Sequence, residues 1–249
     1  METLSALMPS LMGVAVLAAV ATTVFVLYRV PRPWAPVSAI ARGAVQLAVI
    51  SVILTGVIGQ PLLIATALVV MFLVASTVAS RRLGAFAHWG PRVAVCMLAG
   101  VLCALVTVFA TGALELTARY ALAIGAIVIG NCMSSTTLAG RNFLGSVEDH
   151  WDEVEGWLAL GATPRRATLD LARRAVHDAL VPALDQTRTT GLVVLPGAFV
   201  GAIFGGVSPL EAGRFQIVVL GAILAAGAVS AALVTLWSGS VPTRPRRPT

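Results

Sequence analysis

The stretch VAVCMLAGVLCALVTVFATGA, from Val93 to Ala113, decides the fold class of this chain. It holds no charged residue, and its length matches the ~20 apolar residues with which an α-helix crosses the ~30 Å hydrocarbon layer of a bilayer. An uninterrupted apolar stretch of this length predicts a membrane-spanning helix.

Six further stretches of the same kind lie on either side of it, and short loops join most of them. The 249-residue chain is 58% hydrophobic and 11% charged, with a mean hydropathy of +0.92, whereas soluble domains carry a charge at about a quarter of their positions. The sequence therefore predicts an all-α polytopic membrane protein with one transmembrane domain over residues 1–249. Its seven predicted spans are residues 9–28, 38–58, 61–79, 93–113, 118–139, 189–207 and 216–237.

The arginines predict the orientation of these spans. All 17 basic residues are arginines. If the N-terminus is outside, fourteen of them fall in inner segments, only Arg119 and Arg214 fall in outer ones, and Arg188 lies at the edge of a span. The positive-inside rule then predicts an external N-terminus and a cytoplasmic C-terminus, with residues 240–249 as a disordered basic tail. Membrane topology explains the net charge of +6 without a nucleic-acid partner.

The leader METLSALMPS has no positive charge and carries Glu2, whereas a secretory leader begins with a basic region. We therefore expect the first helix to be retained as a membrane span rather than removed as a signal peptide.

Charge is concentrated in the largest cytoplasmic segment, about residues 141–179, which contains DEVEGWLALGATPRRA (Asp152 to Ala167). Ser146 and Asp149 have the spacing of a capping box, which predicts that a helix begins there. Gly161 is placed to end that helix, and Thr163 and Pro164 are placed to begin the next. The segment therefore predicts a short helix followed by a tight elbow outside the membrane.

One side of this predicted helix is apolar, because Val147, Trp151, Val154 and Leu158 recur at helical spacing. Such a helix can lie in the headgroup layer, or its apolar side can enter a groove on a soluble partner. The acidic residues opposite the stripe favour the partner, since an anionic leaflet prefers basic side chains.

A polar run, GNCMSSTT, lies in the cytoplasmic half of span five. Asn131, Cys132, Met133 and Ser134 bring oxygen, thiol and thioether groups together, which favours a substrate pathway, with Cys132 and Met133 as candidate ligands of a soft or borderline cation. For the serines and threonines, helix–helix hydrogen bonding is an equally good interpretation.

Span six combines a helix break with a contact pattern. Pro196 lacks the N–H that would bond to the carbonyl of Leu192, so we expect a kink or an opening there, with Pro196 and Gly197 beside the pathway. Gly197, Gly201 and Gly205 repeat at four-residue spacing, which is typical of close helix packing.

The stretch EGWLALGA (Glu155 to Ala162) resembles the E-A-A-x-x-L-G-A pattern through which many ABC-transporter permeases contact their ATPase. Together with IGNCMSSTTLAGRNF (Ile129 to Phe143), TTGLVVLPGAFVGAIFGGVSPLEAGRFQI (Thr189 to Ile217) and the seven spans, it resembles the small seven-helix ABC permease family assigned to bacterial iron export, whose plant relatives are linked to aluminium tolerance.

The resemblance implies a permease of the bacterial inner membrane that pairs with a second copy of itself and with a separate ATPase. ATP and magnesium would then bind to the ATPase, and this chain would bind no cofactor. The residues expected to contact the ATPase are Val154, Glu155, Trp157, Leu158, Gly161 and Ala162.

The leading function is therefore export of a metal cation such as iron. Four residues, Ser134, Ala198, Phe199 and Ala202, stand where the family carries other polar or sulfur groups, so an ABC permease for a non-metal substrate stays open. A stand-alone secondary transporter or channel is the other alternative, although spans one to five hold no central acidic residue. A membrane enzyme is disfavoured because no histidine or buried carboxylate is placed to activate a nucleophile.

Overall fold

The computed structural model describes residues 2–57, 60–84 and 86–239, and within these ranges the chain is helical with no β-strand. The helices are α1 Glu2–Leu27, α2 Ala35–Val57, α3 Pro61–Arg82, α4 Phe86–Ala110, α5 Ala118–Asp149, α6 Trp151–Ala159, α7 Pro164–Ala167, α8 Leu169–Thr189, α9 Gly197–Phe204 and α10 Pro209–Ser238.

Six of these helices are long and apolar enough to cross a membrane: α1, α2, α3, α4, α5 and α10. Each coincides with a predicted span, so the all-α membrane class is confirmed. Residue 58, at the end of the second predicted span, and the predicted tail over residues 240–249 lie outside the described residues.

The chain divides into two compact units, residues 1–59 and residues 60–249. In the first unit α1 packs against α2. In the second unit α10 packs against α4, α5 and α8, while α5 also packs against α3 and α4. The core of the second unit lies where α3, α4, α5 and α10 meet, and it contains the fully buried residues Val93, Met97, Ile124, Val128 and Ala226.

The helices of the second unit run in alternating directions. α3 is parallel to α5, because Leu68 lies against Gly125 and Leu83 lies against Gly140. α10 is also parallel to α5, because the rings of Tyr120 and Phe215, near the two helix starts, have centroids 5.7 Å apart. α4 returns after a short connection from α3, and we infer that the two are antiparallel.

The prediction of a membrane-spanning helix over residues 189–207 is wrong. The chain has no continuous helix there: α8 ends at Thr189, residues 190–196 form turns, and α9 covers only eight residues. α8 instead runs antiparallel to α10. It begins beside the end of α10, where Thr168 Oγ1 donates to the carbonyl of Gly239 at 3.3 Å, and Leu180 halfway along it lies against Gly227 of α10.

The predicted helix start at Ser146 is also wrong. α5 continues through this position to Asp149, and the carbonyl of Ser146 accepts from the backbone N–H of His150 at 3.0 Å. Phe143, Leu144 and Val147 are buried on this last part of α5, which explains why the helix does not end with the membrane span. At 1.5 Å per residue, its 32 residues extend ~48 Å, well beyond the ~30 Å of hydrocarbon.

The helix directions give the second unit two ends that differ in their number of arginines. One end, called here the arginine-rich end, contains the ends of α3, α5 and α10 and the starts of α4 and α8. Its arginines are Arg81, Arg82, Arg92, Arg141, Arg165, Arg166, Arg173 and Arg174. The opposite end carries Arg119, Arg188 and Arg214.

Candidate coupling surface and substrate path

A tight elbow joins α6 to α7 at the arginine-rich end. α6 ends in a Schellman turn, in which the N–H of Gly161 donates to the carbonyl of Leu158 and the N–H of Ala162 donates to the carbonyl of Trp157, both at 3.0 Å. Gly161 has a φ of +87°, which L side chains rarely adopt. Thr163 is extended, and Pro164 begins α7. The predicted roles of Gly161, Thr163 and Pro164 in the elbow are confirmed.

The inner face of α6 packs on its own chain. Val154 is completely buried in a cluster formed by the end of α5 and the start of α8, and Trp151 and Leu158 pack on the edge of this cluster. Its other buried members are Phe143, Leu144, Val147, Ala167, Leu171, Ala172 and Ala175. The predicted apolar stripe therefore exists, but it fixes the elbow to α5 and α8 of the same chain instead of facing outward.

The outer face of α6 is exposed. Trp157 is 50% exposed and Leu160 is 82% exposed, and Glu153 and Gly156 complete one helical stripe with them. The structure thus separates the predicted contact residues: Trp157, Glu155 and Gly161 face outward, Leu158 and Ala162 are half-buried, and Val154 is inside. Leu160 was not among the predicted residues, although its position four residues after Gly156 places it on the outer stripe.

Cys132 points into the core of the bundle. It has no exposed surface, and its sulfur lies 3.8 Å from the carbonyl oxygen of Met97 and 3.9 Å from that of Ala226. Thr136, one turn later, donates to the carbonyl of Cys132 at 2.7 Å. Cys132 therefore fills the junction of α4, α5 and α10.

The other members of the polar run point in different directions, because consecutive residues on a helix are ~100° apart. Asn131 is half-buried and donates to the carbonyl of Ile127 at 2.9 Å. Met133 packs against the core. Ser134 is exposed and donates to the carbonyl of Gly130 at 3.3 Å. Within the described residues, no cluster of three or more His, Cys, Asp or Glu side chains could hold a metal ion.

A cavity of about 280 Å³ lies beside the break in residues 190–196, and α9 and α10 complete its wall. Pro196 is buried and caps the start of α9, so the predicted interruption is present. Gly197 and Gly201 are exposed, and a Cβ added at either would meet nothing within 4 Å. At Gly205 an added Cβ would meet only carbonyl oxygens of its own segment. The predicted close packing of these glycines is thus not made within the described part of this chain.

α8 is amphipathic along its whole length. Its buried residues Leu171, Ala172, Ala175 and Ala179 face the bundle, and Asp185 and Arg188 form an ion pair on its exposed face, at 3.5 Å. The exposed polar side chains are Asp170, Arg173, Arg174, His177, Asp178, Asp185, Gln186 and Arg188.

A groove of about 550 Å³ at the arginine-rich end runs between this polar face and α5. Asp178 contributes to its wall from α8, while Arg141, Asn142 and Ser146 contribute from α5. The polar face of α8 is thus continuous with a polar groove rather than with an apolar surface.

Comparison with known proteins agrees with this membrane architecture. A family model described as "Uncharacterised protein family (UPF0014)" matches residues 8–240. The chain belongs to this family. No solved structure matches the chain.

Two plant members of UPF0014 align over most of the chain. "UPF0014 membrane protein STAR2" of Oryza sativa subsp. japonica is 38% identical over 201 residues, which cover 79% of this chain and 70% of the relative. "Protein ALUMINUM SENSITIVE 3" of Arabidopsis thaliana is 35% identical over 195 residues, covering 77% and 71%.

A bacterial member carries a transport function in its name. "Probable iron export permease protein FetB" of Escherichia coli (strain K12) is 32% identical over 138 residues, 55% of this chain and 52% of that protein. The family suggested by the sequence is therefore confirmed, and the chain is a multi-pass membrane protein.

Proposed function

We propose that this chain is the membrane-spanning permease subunit of an ABC transporter in the bacterial inner membrane, and that it exports a metal cation. ATP is hydrolysed by a separate ATPase subunit, which holds the nucleotide and magnesium. The observation that carries the proposal is the elbow, a rigid helical projection with an exposed indole and an exposed leucine at the arginine-rich end of the bundle.

The anchoring of α6 suits a part that transmits force. Val154 is buried against α5 and α8, so a displacement of α6 by a partner reaches two helices of the bundle directly. On the outer face, Trp157 and Leu160 supply the apolar contact that protein interfaces concentrate at their centre. The positive-inside rule assigns the arginine-rich end to the cytoplasm, where an ATPase is found.

α8 is the proposed seventh crossing. Charged side chains at membrane depth are costly unless they face water or protein, so the polar face of α8 is assigned to the substrate path and to the contact with a second copy. The exposed side of α5, with Gly130 and Ser134, borders the same path. The open glycine face of α9 is the proposed contact between the two copies.

The metal cargo is supported by the family, since one relative is named as an iron export permease. Cys132 is assigned to packing in this proposal because its sulfur is enclosed by three helices. An ABC permease for a non-metal substrate is the alternative. ATP hydrolysis by the assembled complex, measured with and without divalent metals, distinguishes the two.

Co-purification with the ATPase tests the proposal. The complex is expressed with an ABC ATPase subunit from the same genome, and the Trp157→Ala and Leu160→Asp variants are compared with the unmodified chain. We expect both variants to reach the membrane and to lose most of the bound ATPase, because burying an indole and a leucine contributes a few kcal/mol to an interface.

Trp237→Ala is the matched control, since Trp237 is 42% exposed and lies near the same end of the bundle on α10. It should retain the ATPase. Full recovery of the ATPase with Trp157→Ala and Leu160→Asp combined would refute the docking surface.

A further inference from the structure

Positive charge is distributed unevenly over the arginine-rich end. Residues 141–179, which include the end of α5, the elbow and the first half of α8, carry five arginines and seven carboxylates. The hairpin of α3 and α4 carries Arg81, Arg82 and Arg92, and the sequence has no Asp or Glu between residues 3 and 114. Among these helices, the excess of positive charge therefore lies on the α3–α4 hairpin.

The three arginines of the hairpin have exposed side chains without an ionic partner. Arg81 and Arg82 end α3, and Arg92 lies near the start of α4. All three are exposed, and no described residue forms a salt bridge with any of them. Arg173 on α8, by contrast, pairs with Asp170 at 3.0 Å. The hairpin thus presents three guanidinium groups whose charge the described chain leaves uncompensated.

Helix stabilisation explains only part of this arrangement. Arg81 and Arg82 lie in the last turn of α3, where the negative end of the helix dipole favours a cation. Arg92 lies in the half of α4 nearer to the positive end of that helix, so the dipole does not stabilise it. The positive-inside rule explains the side of the membrane on which the arginines lie, but not their concentration on one hairpin without carboxylates.

The hairpin places these guanidinium groups at the depth of the lipid headgroups. The 22 residues of α3 extend ~33 Å at 1.5 Å per residue, which matches the ~30 Å hydrocarbon layer, so the last turn lies at the interface. Arg81 continues an exposed apolar stripe, because Val70 and Val74 precede it on the same face by three turns and two turns. On α4 the exposed Val95 follows Arg92 by three residues. A lipid whose acyl chains lie along these valines therefore has its headgroup beside the arginines.

We propose that the α3–α4 hairpin binds an anionic phospholipid, with the phosphate bound by Arg81, Arg82 and Arg92 and the acyl chains lying along the exposed valines of α3 and α4. Guanidinium groups bind phosphate through paired, charge-assisted hydrogen bonds. Basic groups of several transmembrane helices at the cytoplasmic side are suited to anionic lipid headgroups. The elbow side does not form a second such site, because its carboxylates repel phosphate. The inference does not rest on the proposed transport function.

Native mass spectrometry of the purified full-length chain in a neutral detergent tests the site, because it counts the lipid molecules bound to each chain. The probes are phosphatidylglycerol and phosphatidylcholine with the same acyl chains, of which only phosphatidylglycerol has a net charge. We expect phosphatidylglycerol to bind more tightly to the unmodified chain. The combined Arg81→Gln, Arg82→Gln and Arg92→Gln variant should bind it at least fivefold more weakly, the factor that corresponds to ~1 kcal/mol.

The combined Arg166→Gln, Arg173→Gln and Arg174→Gln variant is the matched control. It removes three exposed arginines from the same end of the bundle, but from the side that also carries carboxylates. We expect it to bind phosphatidylglycerol as tightly as the unmodified chain does. Because binding is measured in detergent, the result does not depend on the orientation in which a variant inserts into the membrane.

Glycerophosphoglycerol, the headgroup without acyl chains, distinguishes a lipid site from a site for free phosphate esters. It should bind at least tenfold more weakly than the lipid, because it lacks the apolar contact with the valines. Equal affinity for the headgroup and for the lipid would overturn the lipid assignment.

Three other outcomes would also overturn the proposal: equal affinity of the unmodified chain for the two lipids, unchanged phosphatidylglycerol affinity in the hairpin variant, or an equal loss of affinity in the hairpin variant and in the control. If the hairpin variant fails to fold, Arg92→Gln alone decides, since unchanged phosphatidylglycerol affinity in that variant overturns the proposal as well.

Discussion

Single residues of the elbow show how strongly its shape depends on backbone conformation. Gly161 has open space around it, since an added Cβ would meet nothing within 4 Å. The requirement for glycine at this position therefore comes from its φ of +87° and not from crowding. Gly156 is also uncrowded, but it lies inside α6, where helical φ suits any L residue.

These two glycines should respond in opposite ways to substitution. Gly161→Ala should destabilise the elbow by ~1 to 2 kcal/mol, because alanine is strained in the left-handed conformation. Gly161→Val should destabilise it at least as much. Gly161→Asn should destabilise it less, because asparagine tolerates the left-handed conformation. Gly156→Ala should stabilise α6 by ~0.5 to 1 kcal/mol. Thermal unfolding in detergent gives the order of stability of these variants, and the amount of co-purified ATPase should follow the same order. Equal effects of alanine at both positions would contradict the role of the turn.

At the scale of elements, α4 and α10 approach each other closely at Gly100. A Cβ added at Gly100 would collide with the backbone carbonyl of Ala226 and would lie 3.2 Å from the Cβ of Ser230. At Gly140 the nearest atom is instead the end of the Leu83 side chain, which can rotate. Among the described glycines, Gly100 alone has the backbone of another helix within 3 Å of an added Cβ, so it limits the distance between two helix backbones.

Gly100→Ala should separate α4 from α10 and lower the free energy of unfolding by ~1 to 3 kcal/mol, the usual cost of overpacking. Gly221→Ala is the control, because Gly221 is exposed on α10 and an added Cβ there meets nothing within 4 Å. Thermal unfolding of both variants in the same detergent is the measurement. A Gly100→Ala variant as stable as Gly221→Ala would show that the two helices are not packed this closely.

The elements also show which parts of the fold a sequence predicts. Spans with uniformly apolar composition, such as Val93 to Ala113, are recognised because every residue contributes to the same signal. α8 is not predicted as a span because many of its residues are charged. Its buried positions, such as Leu171, Ala175 and Ala179, lie on one face only. The neighbouring stretch over residues 189–207 has the composition of a span, but turns and a proline divide it.

The candidate site was predictable only in part, for the same kind of reason. The Schellman turn at Gly161 depends on local sequence and was found. The direction of Val154 depends on α5 continuing beyond the membrane to meet it, which local spacing does not reveal.

At the scale of the whole molecule, the second unit combines the arginine-rich end, which carries the elbow, with an opposite end that carries the cavity. The proposed export function requires these two ends to lie on different sides of the membrane, with the elbow on the side of the proposed ATPase. Two exposed leucines outside the spanning part of the bundle report on this arrangement: Leu160 in the elbow, 82% exposed, and Leu116 between α4 and α5, 76% exposed.

Cysteine labelling in intact cells should therefore modify the Leu116→Cys and Leu160→Cys variants to different extents. A membrane-impermeant maleimide should modify Leu116→Cys from outside and should modify Leu160→Cys only after the membrane is opened, because the positive-inside rule places the arginine-rich end in the cytoplasm. The unmodified chain gives the background, which should be low because Cys96 and Cys132 are buried and Cys103, although exposed, lies within the candidate membrane span of α4. Labelling of Leu160→Cys in intact cells, with Leu116→Cys protected, would reverse the orientation and remove the elbow from the reach of a cytoplasmic ATPase.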